Sequence, residues 1–145
     1  MPDSHASAVW EGGLRTGRGS FRAGSNAFSG AYSFPTRFEG VGGTNPEELI
    51  AAAHAACLSM ALSAGLEKAG TPATRVETNA VCTLGKVGDA FRITRMALTV
   101  RGVVPGLTQD QFAAAAESAK NGCPVSNALK GNVEFVLEAR LENIA

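Results

Sequence analysis

Neither sign of charge prevails in this chain, because 13 Lys and Arg balance 13 Asp and Glu over 145 residues. Gathering a polyanion needs a broad positive field, so nucleic acid is excluded as the expected partner. Charge is also scarce, at 18%, against 45% apolar residues. That is too much core material for a disordered chain, and it fits one domain over residues 1–145. The N-terminal stretch MPDSHASAVWEGG lacks the apolar run of a secretory signal, which predicts a cytoplasmic protein. Cysteine is sparse: Cys57, Cys82 and Cys123 make neither a disulfide framework nor a paired Cys-x-x-Cys zinc site. In a reducing compartment such isolated thiols are candidates for chemistry. No internal repeat is visible.

What is present divides near residue 44. Residues 1–43 hold nine of the 17 glycines and predict short strands over Ser7–Glu11, Gly17–Arg22 and Ser33–Phe38, separated by Gly/Ser turns. Their bulky apolar residues, among them Val9, Trp10, Phe21, Tyr32 and Phe38, are scattered and need a surface from elsewhere. The segment reads as an arm that packs across a partner. Asn45 then supplies an N-cap, Pro46 the first helical position and Glu48 a capping-box acid, so a helix starts here. It runs to about Ala69, where Gly70 and Pro72 stop it.

Between Glu48 and Glu67 no residue is charged. The run LIAAAHAACLSMALSAGL reaches the lower edge of a membrane span, yet it is rich in Ala, includes His54, Ser59 and Ser63, and has no basic flank. A buried helix is the simpler reading. One sheet covers only one side of such a helix, and a dimer pairing two of them covers the rest.

Beyond it, Val76, Thr78, Ala80, Cys82 and Leu84 line one face of a strand, Gly85–Asp89 reads as a hairpin turn, and residues 90–101 return as a second strand. The alternation changes phase between Ile93 and Met96, which places a bulge near Arg95. Thr108 and Gln111 cap a helix over Phe112–Lys120 that Asn121-Gly122 ends. Cys123 stands at the N-cap of a brief helix ending at Gly131, and Val133–Leu141 form an amphipathic strand. The fold class is α+β.

A thiolate is the nucleophile, so each cysteine is judged by what could lower its pKa. Cys82 shares the apolar face of its strand, and such surroundings silence a thiol. Cys123 lies at the positive end of a short helix and is locally the best activated. Cys57 is flanked by alanines, with His54 one turn before it as the polar neighbour on its face; taken alone it looks like core.

The segments TRFEG (36–40), GTNPEELIAAAHAACLSMAL (43–62) and NGCPVSNALKG (121–131) closely resemble the osmotically inducible protein C (OsmC) family of the OsmC/Ohr superfamily, and the match extends over nearly the whole chain. The resemblance implies antiparallel sheets wrapped around long central apolar helices in an intertwined homodimer, residues 1–43 crossing to the partner and 44–145 forming the body. It implies a stress-defence peroxidase that reduces organic hydroperoxides, and hydrogen peroxide less well, with no metal or cofactor. The resemblance suggests an external dithiol of lipoyl type as the reductant that regenerates it. By the motif match Cys57 is the peroxidatic cysteine and Cys123 the resolving one, with Arg37 and Glu47 as the polar pair that activates the thiol. This reverses the local ranking of the two cysteines.

An arginine suits the role, since it stays protonated and can offer donors to both a thiolate and a peroxide oxygen. Arg15 and Arg18 are its rivals in the Ohr branch, Glu48 is the rival of Glu47, and His54 is a runner-up base for Cys57. In an unbroken helix Glu47 and Cys57 stand roughly 15 Å apart along the axis and about 80° out of phase. Either the helix breaks after about Ile50, or Glu47 reaches the other subunit's thiol, or it acts through Arg37; the interface is favoured. Two other classes remain open: a non-enzymatic stress-induced dimer with inert thiols, and a thiol–disulfide oxidoreductase, although the latter lacks Cys-x-x-Cys.

Overall fold

The computed structural model describes residues 1–143 and forms two compact units, Met1–Leu49 and a second from Ile50 onward. In the first, the glycine-rich segment makes an antiparallel sheet of β1 (Ala6–Glu11), β2 (Arg18–Ala23) and β3 (Ser29–Tyr32). Its register sets Gly19 between Trp10 and Tyr32. With no side chain at Gly19 to hold them apart, the two rings close to 5.4 Å between centroids; a Cβ there would lie 2.6 Å from both.

The strand expected over Ser33–Phe38 is instead a helix, α1 (Phe34–Phe38). Ser33 Oγ accepts from Thr36 N while Thr36 Oγ1 accepts from Ser33 N, and Pro35 sits in the first turn, where its missing N–H costs nothing. Phe34 and Phe38, four residues apart, then stack at 4.8 Å. The cap and this spacing outweigh the aromatic β-propensity that suggested a strand.

Helix α2 (Pro46–Lys68) starts as expected: Asn45 Oδ1 accepts from Glu48 N at 2.8 Å. It ends before Gly70, whose φ of +84° lets Thr71 N turn back to Leu66 O at 2.9 Å. The helix is unbroken over its 23 residues, so no break follows Ile50.

In the second unit β4 (Arg75–Val87) and β5 (Ala90–Val103) form an antiparallel hairpin. Pairing continues through Lys86–Phe91 and Val87–Ala90, so the turn is Gly88-Asp89 rather than Gly85–Asp89. Thr83 faces Arg95 but Leu84 faces Ile93, which leaves Thr94 as the extra residue of the bulge expected near Arg95. Next come α3 (Gln109–Gly122), capped reciprocally by Thr108 and Gln111, then α4 (Pro124–Leu129) and β6 (Glu134–Leu141). The expectation of wholly antiparallel sheets is corrected here: β6 lies parallel to β5. The two helices between these strands form a crossover that returns the chain in the same direction.

Leu58, Leu62 and Leu66 of α2 recur every four residues and are at most 2% exposed. They join Met96, Leu98 and Val100 of β5 and Phe112, Ala116 and Ala119 of α3 in one core, each leucine contributing about 1.5–3 kcal/mol. By length and composition α2 could cross a membrane. Its leucine stripe has the placement of a core helix, while Ala52, Ala53, Ala56, Met60, Ser63 and Ala64 remain exposed.

Candidate active site

The four residues singled out by motif fall into two pairs, one in each unit. In the first unit Arg37, from the last turn of α1, grips Glu47, from the first turn of α2. Its Nη2 donates to Glu47 Oε1 at 2.8 Å and its Nε to the same oxygen at 3.1 Å. Nε also reaches the second oxygen, Oε2, at 3.4 Å, so the carboxylate fixes the guanidinium in orientation as well as position. Glu47 is buried, and Glu48 beside it is exposed, with its backbone N–H engaged in the cap. Of the rival arginines, Arg15 stacks on the Phe34 ring at 4.6 Å and Arg18 lies in β2.

Beside Arg37 opens a cavity of about 210 Å³ lined by Trp10, Leu14, Tyr32, Phe34 and Phe38. These aromatics were too dispersed in sequence to name as a pocket. The Trp10–Gly19–Tyr32 register is the signal that gathers them, and it exists only once the strands pair.

In the second unit Cys57 of α2 and Cys123 bring their sulfurs to 2.9 Å, with a hydrogen bond between them, across 66 positions of sequence. Cys123 is fully buried and Cys57 half-buried; both are reduced. Cys123 joins α3 to α4, serving as the C-cap of one and the N-cap of the other.

Two thiols this close lose their protons as a pair. Burial pushes the Cys57 thiol up, and so does its contact with Cys123. Burial opposes the Cys123 anion too, but the Cys57 hydrogen bond, the Ser126 N–H and hydroxyl, and the Val125 N–H outweigh it and hold Cys123 below the usual thiol range. As a neutral thiol Cys123 makes no capping hydrogen bond to α4; ionised, it faces those donors. Within this unit the first anion therefore belongs on Cys123, in line with its place at a helix start.

His54 does not address Cys57. Its Nε2 lies 2.7 Å from Ser126 Oγ, and its ring meets Phe135 edge-on at 5.3 Å. Ser126 drew no attention in the sequence, although it follows Cys123 by three residues on the same short helix. Cys82 sits half-buried against the core, opposite Met96. Among the described residues no cluster of three or more His, Cys, Asp or Glu could hold a metal ion.

A family model described as OsmC-like protein matches residues 39–138. The chain is 47% identical over 137 residues to the peroxiredoxin OsmC of Escherichia coli (strain K12), covering 94% of each. It is 32% identical over 138 residues to the organic hydroperoxide resistance protein of Xanthomonas axonopodis pv. citri (strain 306), covering 92% of this chain and 91% of the relative. Among solved structures, an organic hydroperoxide resistance protein from Elizabethkingia anophelis matches with a TM-score of 0.73 and 25% identity, over 99% of this chain and 98% of the other.

Proposed function

Because the chain belongs to the OsmC-like protein family, we propose that it is a thiol-dependent peroxidase that reduces organic hydroperoxides to alcohols through Cys57 and Cys123. The observation that carries the assignment of residues is the 2.9 Å approach of the two sulfurs. A sulfenic acid formed on one of them needs a shift of under about 1 Å to reach a disulfide bond length with the other.

The Cys57 thiolate attacks the terminal oxygen of ROOH, the O–O bond breaks, and the alkoxide takes up a proton to leave as ROH. Arg37, oriented by Glu47, is the cation that this step requires. Burial works against an anion on Cys57, so the thiol needs a fixed positive charge, and the same guanidinium can steady the departing alkoxide. The aromatic cavity beside Arg37 suits an apolar R group, which favours organic hydroperoxides over hydrogen peroxide. Cys123 then attacks the Cys57 sulfur, forming the disulfide and releasing water, and an external dithiol restores both thiols by exchange. The hydrogen bonds that favour the Cys123 anion serve this second half of the reaction.

The working form is a homodimer in a bacterial cytoplasm. The exposed Ala52–Ala56–Met60 face of α2 is apolar and uncharged, and a second copy of the same helix would cover it. In this arrangement the Arg37–Glu47 pair of one protomer serves the thiols of its partner.

The test compares reduction of cumene hydroperoxide, with a dithiol as the final reductant, by the wild-type chain and Cys57→Ser. Loss of turnover in the variant is expected. Equal rates would remove the peroxidase reading.

A further inference from the structure

Among the described residues, one buried titratable side chain has no task in the proposed reaction. His54 is wholly inaccessible, and burial keeps its imidazole neutral by lowering its pKa. Its position is regular. His54 and Cys57 lie three residues apart on α2; Cys123 and Ser126 lie three residues apart at the start of α4. The two pairs face each other as rungs of a ladder, Cys57 to Cys123 at 2.9 Å and His54 to Ser126 at 2.7 Å.

The imidazole's other nitrogen settles the direction of the second rung. His54 Nδ1 is buried and has no hydrogen-bond partner among the described residues. A proton there would orphan a buried N–H donor, whereas a bare Nδ1 leaves only a lone pair unmet, the lesser cost. The proton therefore sits on Nε2, and Nε2–H donates to Ser126 Oγ. The serine hydroxyl, having accepted from His54, has its own proton free for another acceptor, and Ser126, three residues after the N-cap Cys123, has an N–H and a hydroxyl that favour an anion on that sulfur.

We propose that His54 is a positioning residue for the resolving cysteine: as the neutral Nε2–H tautomer it donates to Ser126 Oγ and so aims the Ser126 hydroxyl at the Cys123 sulfur. No proton is transferred along this chain. It presents Cys123 with a donor and favours the thiolate that attacks the Cys57 sulfenic acid. Among the described residues, the groups besides Ser126 that act on the Cys123 sulfur are Cys57 from α2 and the Val125 N–H from α4; against His54 lie Ser126 from α4 and Phe135 from β6. The inference rests on the reading of Cys123 as the resolving thiol, but its test uses no peroxide, so the two can fail separately.

In the full chain carrying Cys57→Ser and Cys82→Ser, the ultraviolet absorbance of the thiolate reports Cys123 alone. Adding Ser126→Ala should raise its ionisation midpoint by about one pH unit, the effect of losing one hydrogen bond to a charged group. His54→Leu should raise it in the same direction and add nothing further in the Ser126→Ala background. His54→Gln, which keeps an N–H at the same depth, should hold the midpoint nearer the parent value. A midpoint unmoved by His54→Leu, or a further rise when it is combined with Ser126→Ala, overturns the proposal. Nitrogen NMR of the unsubstituted protein tests it without a variant: His54 protonated on Nε2 supports it, and protonation on Nδ1 refutes it. Failure to reduce cumene hydroperoxide would sink the peroxidase reading and leave this result standing.

Discussion

Replacing Glu47 by glutamine removes one charge and almost no volume, which makes it the sharpest test of how Arg37 is held. One carboxylate oxygen accepts from Arg37 Nη2 at 2.8 Å and Nε at 3.1 Å, and Glu47 is only 6% exposed while the Arg37 side chain is 36% exposed, so the buried carboxylate is the fixed anchor of a guanidinium that also meets solvent. An amide with its oxygen at Oε1 keeps both of these hydrogen bonds, but it puts an NH2 where Oε2 accepts from Arg37 Nε at 3.4 Å, facing a group that has only donors, and it removes the carboxylate's charge. A hydrogen bond to a charged partner contributes about 1.5–3 kcal/mol. Losing one of them should slow the oxidation of Cys57 by roughly 10- to 150-fold, since each 1.4 kcal/mol is about a factor of ten. The assay is single-turnover oxidation of Cys57 by cumene hydroperoxide, with folding checked by circular dichroism. Glu48→Gln serves as the control: that side chain is exposed and the cap uses its backbone N–H, so the rate should stay within about twofold. A folded Glu47→Gln protein oxidised as fast as wild type would refute the role given to the pair.

Other outcomes follow from the same geometry. Cys123→Ser should consume one equivalent of peroxide per Cys57 and then stall as a sulfenic acid or mixed disulfide; full turnover with a dithiol would show that resolution does not need the sulfur 2.9 Å away. Met60→Glu places a charge at a side chain that is 75% exposed on the apolar face of α2, and sedimentation should show dimers for the wild-type chain and monomers for the variant; monomers for both would refute the proposed pairing. His54, neutral when buried, binds its proton less readily folded than unfolded. Its contribution to stability is therefore complete above the unfolded pKa of 6.5 and declines as pH falls below that value, by at most about 1.4 kcal/mol per pH unit. Urea midpoints from pH 7 down to about 5 should fall in wild type and flatten in His54→Gln; parallel profiles would show that another group carries the slope.

The local chemistry of the chain was written in its sequence. Asn45, Thr108 and Gly70 fix helix ends because a cap needs only residues within one turn, and the phase change after Ile93 marks the bulge because side-chain alternation has a period of two. The motifs around Arg37, Glu47, Cys57 and Cys123 pointed to the family and to those residues. Local signals mislead where two compete: the aromatic residues of Ser33–Phe38 suggest a strand, and the Ser33–Thr36 cap makes a helix. The direction of β6 was hidden as well, since an amphipathic strand has the same pattern whether its neighbour runs parallel or antiparallel.

Tertiary structure decided everything that depends on residues meeting across distance. The sequence by itself named Cys57 and Cys123 through motifs, but only folding sets their sulfurs 2.9 Å apart. Glu47 and Glu48 are equivalent first-turn acids until the fold buries one against Arg37 and leaves the other in water. Ser126 and His54, 72 positions apart, come within hydrogen-bond reach only when α4 docks on α2. Periodicity and caps are short-range properties that a sequence displays directly. Burial, pairing and the pKa values they move arise from long-range packing, and that exists only in the folded chain.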